Sequence, residues 1–279
     1  MKESSCPSGS CSSSSSCGSG SACSAPTKLP ANDSTQVENI IAIMSGKGGV
    51  GKSSVTSLIA VSLARQGYKV GILDADITGP SIPKMFGLPS QADMGKGVNI
   101  LPPKTETLGI KIMSLNLILK SEDDPVIWRG PIIAGAVNQF WTDVAWGKLD
   151  YLLLDLPPGT GDVPLTVMQQ IPLNAMVIVT SPQELASMVV RKAVKMVSYM
   201  EPPIPILGLV ENMSYFVCPH CGQQTNIFGK NTGTSKIDLD IIETLPIDPK
   251  LSELCDAGKI EEYETEVFKN IPELIKKVK

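Results

Sequence analysis

Gly46-Lys47-Gly48-Gly49-Val50-Gly51-Lys52-Ser53 decides how this chain folds. The eight residues keep the spacing G-x-x-x-x-G-K-[ST]. In that pattern backbone N–H groups cradle phosphate oxygens, the lysine reaches the β- and γ-phosphates, and the hydroxyl meets Mg²⁺. The flanks have the required character. Ile40-Ile41-Ala42-Ile43-Met44 is a short apolar, β-branched run that reads as a buried strand. Ser53 to Gln66 reads as a helix, with Leu58, Ile59, Val61 and Leu63 on its inner side and Gly67 as its stop. The glycines therefore lie between a strand end and a helix N-terminus, where free N–H groups and the helix dipole favour an anion. The whole run from Gly46 to Ser53 is the expected phosphate cradle.

A second lysine, Lys47, is not required by that pattern. The form G-K-G-G-V-G-K-S resembles the deviant Walker A loop of the MinD/ParA-like ATPases. In that group the early lysine reaches across a dimer interface to the partner's nucleotide, so the resemblance implies a homodimer and a role for Lys47 in catalysis.

Composition narrows the remaining choices. The chain has 279 residues, of which 42% are hydrophobic, enough for a full core. The net charge of −4 gives no global attraction to nucleic acid or to an anionic membrane. No run of about 18 apolar residues suggests a spanning helix, and the first residues lack the apolar stretch of a secretory signal. A cytoplasmic protein with no nucleic-acid partner and no stable membrane association is expected. One histidine and no plausible triad argue against a nucleophilic hydrolase.

Residues 1–35 read as a disordered tail rich in Ser, Gly and Cys, because no leucine, isoleucine or valine precedes Leu29. Residues 36–279 alternate strand-like and helix-like stretches, the signature of an α/β fold with a mostly parallel sheet flanked by helices. Strands are expected at 69–73, 110–117, 151–155, 175–180, 204–210 and 241–245. Helices are expected at 82–86, from Trp128-Arg129-Gly130-Pro131 towards Trp141, at 184–200 and at 251–257, with Gly79-Pro80-Ser81 as a turn. The C-terminus from Glu266 is amphipathic, and Pro272 is expected to interrupt it. Tyr151-Leu152-Leu153-Leu154-Asp155 is an apolar strand ending in a carboxylate, the form of a Walker B motif that supports Mg²⁺. Leu156-Pro157-Pro158-Gly159-Thr160-Gly161-Asp162 then reads as a loop able to change shape with nucleotide state.

Seven cysteines remain. In a reducing compartment such patterns are more often metal-binding or catalytic than disulfide-bonded. Cys218-Pro219-His220-Cys221 supplies two thiols, whereas zinc and iron–sulfur sites normally take four protein ligands. A two-fold dimer would bring two pairs together. The residues alone leave Zn²⁺ and a [4Fe–4S] cluster both open. Cys255 reads as a buried small apolar residue in a helix.

Several of these stretches occur together in one family. The P-loop, Asp74-Ala75-Asp76 with Gly79-Pro80-Ser81, the Asp155-to-Asp162 loop, and Asn212-Met213-Ser214 followed by Cys218-x-x-Cys221 resemble the Mrp/ApbC-type iron–sulfur cluster carrier ATPases from about Val37 onward. The resemblance implies a single P-loop NTPase domain that binds ATP and Mg²⁺ and hydrolyses ATP slowly. It implies that Asp76 orients the attacking water, that Asn212 contacts the adenine edge and that the loop at Pro246 packs on the base. It also implies a dimer-bridging [4Fe–4S] cluster on Cys218 and Cys221, delivered to apo iron–sulfur proteins. Some relatives carry a further cluster on four N-terminal cysteines. Cys6, Cys11, Cys17 and Cys23 match the number but not the Cys-x-x-Cys spacing of those relatives. A positioning ATPase of the MinD/ParA kind and a nucleotide-switched zinc scaffold are the competing readings.

Overall fold

The strands of this chain are runs of consecutive apolar residues, the pattern of a parallel sheet covered on both faces. The computed structural model describes residues 28–76, 81–88, 100–114, 117, 130–228 and 239–278. Seven strands run parallel: β1 (Gln36–Ser45), β2 (Val70–Asp74), β3 (Lys111–Ser114), β4 (Lys148–Asp155), β5 (Ala175–Thr180), β6 (Ile206–Val217) and β8 (Ile241–Ile247). The sheet runs β3-β2-β4-β1-β5-β6, and β8 pairs with β6. A two-residue strand, β7 (Gln224–Thr225), pairs antiparallel with the end of β6 and closes a hairpin.

Alternate residues of each strand serve opposite faces. Ala42, Met44, Leu152, Leu154, Met176 and Ile178 face one apolar layer, completed by α3 (Gly130–Thr142), α4 (Asp162–Gln170) and α5 (Glu184–Ser198). Ile41, Ile43, Leu153, Val177 and Val179 face the other. That side is covered by α1 (Lys52–Arg65) and the C-terminal helix α7 (Ile271–Val278), with α2 (Ile82–Met85) beside them. A further helix, α6 (Pro249–Asp256), follows β8.

This order places the site. β1 lies between β4 and β5, so successive connections leave it in opposite directions. Such a switch point opens a crevice beyond the carboxyl ends of the strands. The glycine-rich loop follows β1 there, and the register sets Asp74 of β2 beside Asp155 of β4.

The structure departs from the sequence reading in five places. Residues 28–35, expected in the tail, pack on the domain. Leu29 N–H donates to Gln170 O, Trp141 Nε1 donates to Leu29 O, and Lys28 Nζ donates to Met168 O at 2.7 Å. Strand β6 continues past Val210 to Val217, so Asn212 and Met213 lie within it. Helix α4 begins at the end of the expected loop and continues where no element was expected: Pro164 falls in its first turn, where no N–H is needed, and Val167 and Met168 bury behind it. Pro272 does not interrupt the last helix but occupies its first turn, while Phe268 upstream takes a positive φ of 64°. Helix α7 buries Ile271 and Ile275 against the sheet side. Cys255 is only half-buried: it packs at the margin of the apolar layer and also lines a cavity. The tail cysteines Cys6, Cys11, Cys17 and Cys23, the Gly79-Pro80 turn and the Trp128-Arg129 helix start lie outside the described residues.

Candidate functional site

The loop after β1 turns into α1 through Gly51, which has φ 76° and caps the helix. Only glycine takes that left-handed conformation without strain. Lys52, the first helical residue, is buried, and its ammonium lies 2.7 Å from Asp155 Oδ2 and 3.4 Å from Asp76 Oδ2. These are charge contacts. The first has the length of a charge-assisted hydrogen bond, and an ammonium has two further donors to offer a phosphate oxygen. Ser53 Oγ donates to Asp155 Oδ2 at 2.6 Å, and Thr56 Oγ1 donates to Asp155 Oδ1 at 2.7 Å. Asp155 is fully buried at the end of β4.

Behind this pair sits Asp74. Its carboxylate accepts from Ser114 Oγ and from Asp76 N–H. Burial, and then the charge of Asp155, hold the Asp74 carboxyl well above the usual carboxylate range; Lys52 offsets this only in part. Three carboxylates thus face one ammonium. That local surplus of negative charge, together with a serine hydroxyl on a carboxylate, is a set of hard oxygen donors that fits Mg²⁺. The residues present fit the ion.

Asn212 comes to the loop from β6. Its Nδ2 donates to Val50 O at 2.9 Å and its Oδ1 accepts from Met213 N–H at 2.9 Å. Both ends of the amide are therefore occupied with backbone, and its visible work is to hold the loop. Beside it a cavity of about 330 Å³ opens between Gly51, Ser54, Met85, Pro246, Leu251 and Cys255. Asn212 and Pro246, the two residues expected at the base, both line it. Burial pushes the Cys255 thiol up to about 11, with the charge of Asp256 adding.

Lys47 turns away from the cradle and donates to Gln183 Oε1 at the start of α5. The loop after Asp155 lies against the cradle: Gly159 N–H donates to Ser45 O at 2.8 Å, and Pro158 approaches Gly48. Thr56, Ser114 and Gln183 were not singled out from the sequence. Thr56 was findable, because it stands four residues after Lys52 and so shares its helix face. Ser114 and Gln183 carry no such signal.

The second feature sits where β6 leaves the sheet. Cys218 to Gln223 form the hairpin turn, closed by Cys218 N–H to Gln223 O at 3.0 Å and Gly222 N–H to Cys218 O at 2.8 Å. Cys221 is exposed and Cys218 partly so. The backbone N–H of Cys221, then that of His220, and the Cys221 thiol hold the Cys218 pKa below the ordinary thiol value. A turn that favours thiolate and presents it to solvent suits a soft metal. Among the described residues no third Cys, His, Asp or Glu joins the pair.

A parallel sheet with this loop, lysine and carboxylate at its switch point defines a P-loop NTPase. The match extends further: a ParA-type family model, described as NUBPL iron-transfer P-loop NTPase, covers residues 36–279, and the chain belongs to that family. It is 48% identical over 253 residues to an iron-sulfur cluster carrier protein of Clostridium perfringens, covering 87% of each chain. It is 46% identical over 230 residues to the cytosolic Fe-S cluster assembly factor Nubp2 homolog 2 of Drosophila yakuba, covering 79% of this chain and 86% of that one. Among solved structures, a nucleotide-binding protein from Archaeoglobus fulgidus in complex with ADP, with cobalt, superposes with a TM-score of 0.73 at 48% identity, covering 83% and 92% of the two chains. A MinC:MinD complex from Aquifex aeolicus superposes at 0.60 with 19% identity, covering 86% and 95%, a likeness of fold alone. No helix among the described residues is long and apolar enough to cross a membrane.

Proposed function

We propose that this chain is an ATP-dependent iron–sulfur cluster carrier. Two copies hold one [4Fe–4S] cluster as cargo on Cys218 and Cys221 of each, and pass it to apo acceptor proteins. The observation that carries the reading is the pairing on one strand of two different sites. β6 delivers Asn212 to the phosphate loop and, six residues later, a solvent-facing thiol pair with no third ligand among the described residues. The names of the relatives support the cargo, and the ADP in the Archaeoglobus structure supports the nucleotide.

In this reading the backbone N–H groups of Gly46 to Gly51 and the start of α1 bind the phosphates, and Lys52 neutralises the β- and γ-oxygens. Ser53 and Asp155 would hold Mg²⁺, which supplies charge neutralisation across the phosphates when bound. Asp76, at the mouth of the charge cluster, orients the attacking water. Lys47 exchanges Gln183 for the nucleotide of a second copy. Pro246 and Asn212 flank the base. Turnover is slow and serves cluster release.

Anaerobic reconstitution with iron and sulfide, followed by iron, sulfide and zinc analysis and by mass in solution, tests this. The expected product is brown, dimeric and holds one cluster per two chains. Cys218→Ser should lose iron and dimer yet keep ADP affinity, and Lys52→Ala should lose nucleotide yet keep iron. A colourless zinc dimer would replace the cluster by the zinc reading, and four irons on a monomer at this turn would refute bridging.

A further inference from the structure

The amino-terminal edge of the sheet faces away from both sites and carries an unusual charge arrangement. Lys69 precedes β2, while Lys111 and Lys148 are the first residues of β3 and β4, three strands adjacent in the sheet. Lys104 stands directly across an isolated antiparallel bridge from Lys111. All four line one cleft of about 540 Å³, with Gly67 and Gly109 among its walls and no acidic residue in its lining. A small-molecule site has this size.

Physical chemistry argues against such a cluster arising for stability. Like charges directly opposite across a bridge destabilise it. Lys111 is half-buried and donates to Trp146 O, and burial, then Lys104 and Lys69, push its pKa down. Among the described residues none of the four lysines is in an ion pair. Carboxylates lie close by but outside the cleft lining: Asp150 Oδ2 accepts from the backbone N–H of Lys69, Glu261 accepts from Thr105 Oγ1 and Leu108 N–H, and Glu106, Glu261 and Glu262 line a neighbouring cavity that Lys104 also borders. The carboxyl end of α1 explains one cation here through its dipole. It does not explain four around one cleft in a chain whose net charge is −4.

We infer that this cleft is a binding site for a compact polyanion, a small molecule carrying several phosphate or carboxylate groups. The anion supplies the counter-charge that the protein omits, and the four ammonium groups supply charge-assisted hydrogen bonds from three sides. The site is separate from the phosphate cradle. Lys148 and Asp155 mark opposite ends of β4, seven residues apart and so about 23 Å at strand rise.

The test is calorimetric titration of the full chain with orthophosphate, tripolyphosphate and citrate at constant ionic strength. An excess of ADP without free Mg²⁺ keeps the cradle occupied. Tripolyphosphate or citrate should saturate one site per chain and bind roughly tenfold or more tighter than orthophosphate, as multiple charge-assisted contacts require. Lys69→Glu with Lys104→Glu should weaken that binding at least about tenfold and leave ADP affinity unchanged; both lysines are exposed, and the neutral pair Lys69→Gln with Lys104→Gln gives the same direction if charge reversal perturbs folding. Binding of tripolyphosphate alone assigns a phosphorylated ligand, and binding of citrate alone a polycarboxylate. Titrations that do not saturate or that ignore the lysine replacements overturn the inference.

Discussion

Gly51 and Asn212 press on each other, and the contact can be measured. A Cβ on Gly51 would lie 2.3 Å from Asn212 Nδ2, and Gly51 has φ 76°. Gly51→Ala therefore has two costs: about 1–2 kcal/mol for a side chain in the left-handed region, and displacement of the Asn212 amide from Val50 O. Losing that buried hydrogen bond leaves the carbonyl unpaired, about 1–3 kcal/mol. Asn212→Ala has the second cost and also removes the acceptor of Met213 N–H. In the double variant the unpaired Val50 carbonyl is counted once and the clash is gone, leaving the backbone strain, that carbonyl and the lost Met213 bond. The single effects should therefore sum to more than the double effect, by about 1–3 kcal/mol, within the range found for residues in contact. Reversible urea unfolding of the four nucleotide-free proteins, with similar slopes, measures this. Additivity within about 0.5 kcal/mol would show that Asn212 does not hold the loop as described.

Asp74→Asn should stabilise the protein at neutral pH. A carboxyl whose folded pKa is raised contributes stability below its unfolded value near 4 and loses it as pH rises towards the folded value. The advantage of the variant over the parent should thus vanish on acidification towards about pH 4 and grow above it; urea midpoints across that range that stay parallel would contradict it. Cys255, pushed up to about 11, should react slowly with iodoacetamide at pH 8 and faster as pH approaches that value. Saturating ADP should slow it further if the cavity beside Gly51 holds the base, and peptide mapping reads the site directly.

Much of this molecule was legible because its strands are runs and its loop is a pattern. The cradle from Gly46 to Ser53, the carboxylate at Asp155 and the helix after Lys52 were fixed by spacing, and the register set them together. What escaped was set by tertiary context. No element was expected over residues 163–170, and Pro164 is no obstacle to a helix there because the first turn of α4 needs no N–H. Pro272 was expected to break its helix and likewise sits in a first turn. Leu29 and Ala31 look too few to order a polar segment, but they need only fill the existing apolar layer beside α3 and α4. Asn212 was expected at the base from the family resemblance; the structure sets it in the wall of the cavity beside the loop and adds bonds to Val50 and Met213 that the sequence does not display. The lysines of the far edge are spread over eighty residues, so only the sheet order brings them together.

The two sites on β6 differ in how complete one chain makes them. At the phosphate loop every charge has a neighbour from the same chain: Lys52 against Asp155 and Asp76, Asp74 against Ser114, Ser53 and Thr56 against Asp155. At the hairpin two thiols stand at the surface with no third donor among the described residues, while Val217 before the turn and Ile227 and Phe228 after β7 are 40–53% exposed. In the proposed carrier this pair is half of a soft metal site, and a second copy would add the other two thiols and cover exposed apolar side chains in one step. β6 is also irregular between the sites: Met213 has φ 59° and the pairing with β8 shifts between Glu211 and Tyr215. A regular strand would continue its pleat and its pairing with β8 from Glu211 to Val217. The irregularity instead interrupts the ladder where Asn212 turns to the loop; pairing with β8 resumes at Tyr215 and Phe216, so the base of the hairpin stays held to the sheet while the strand is re-aimed between the two sites. In the proposed carrier this allows a fixed nucleotide site and a transferable cargo to share one strand, with the cargo end left open to a partner.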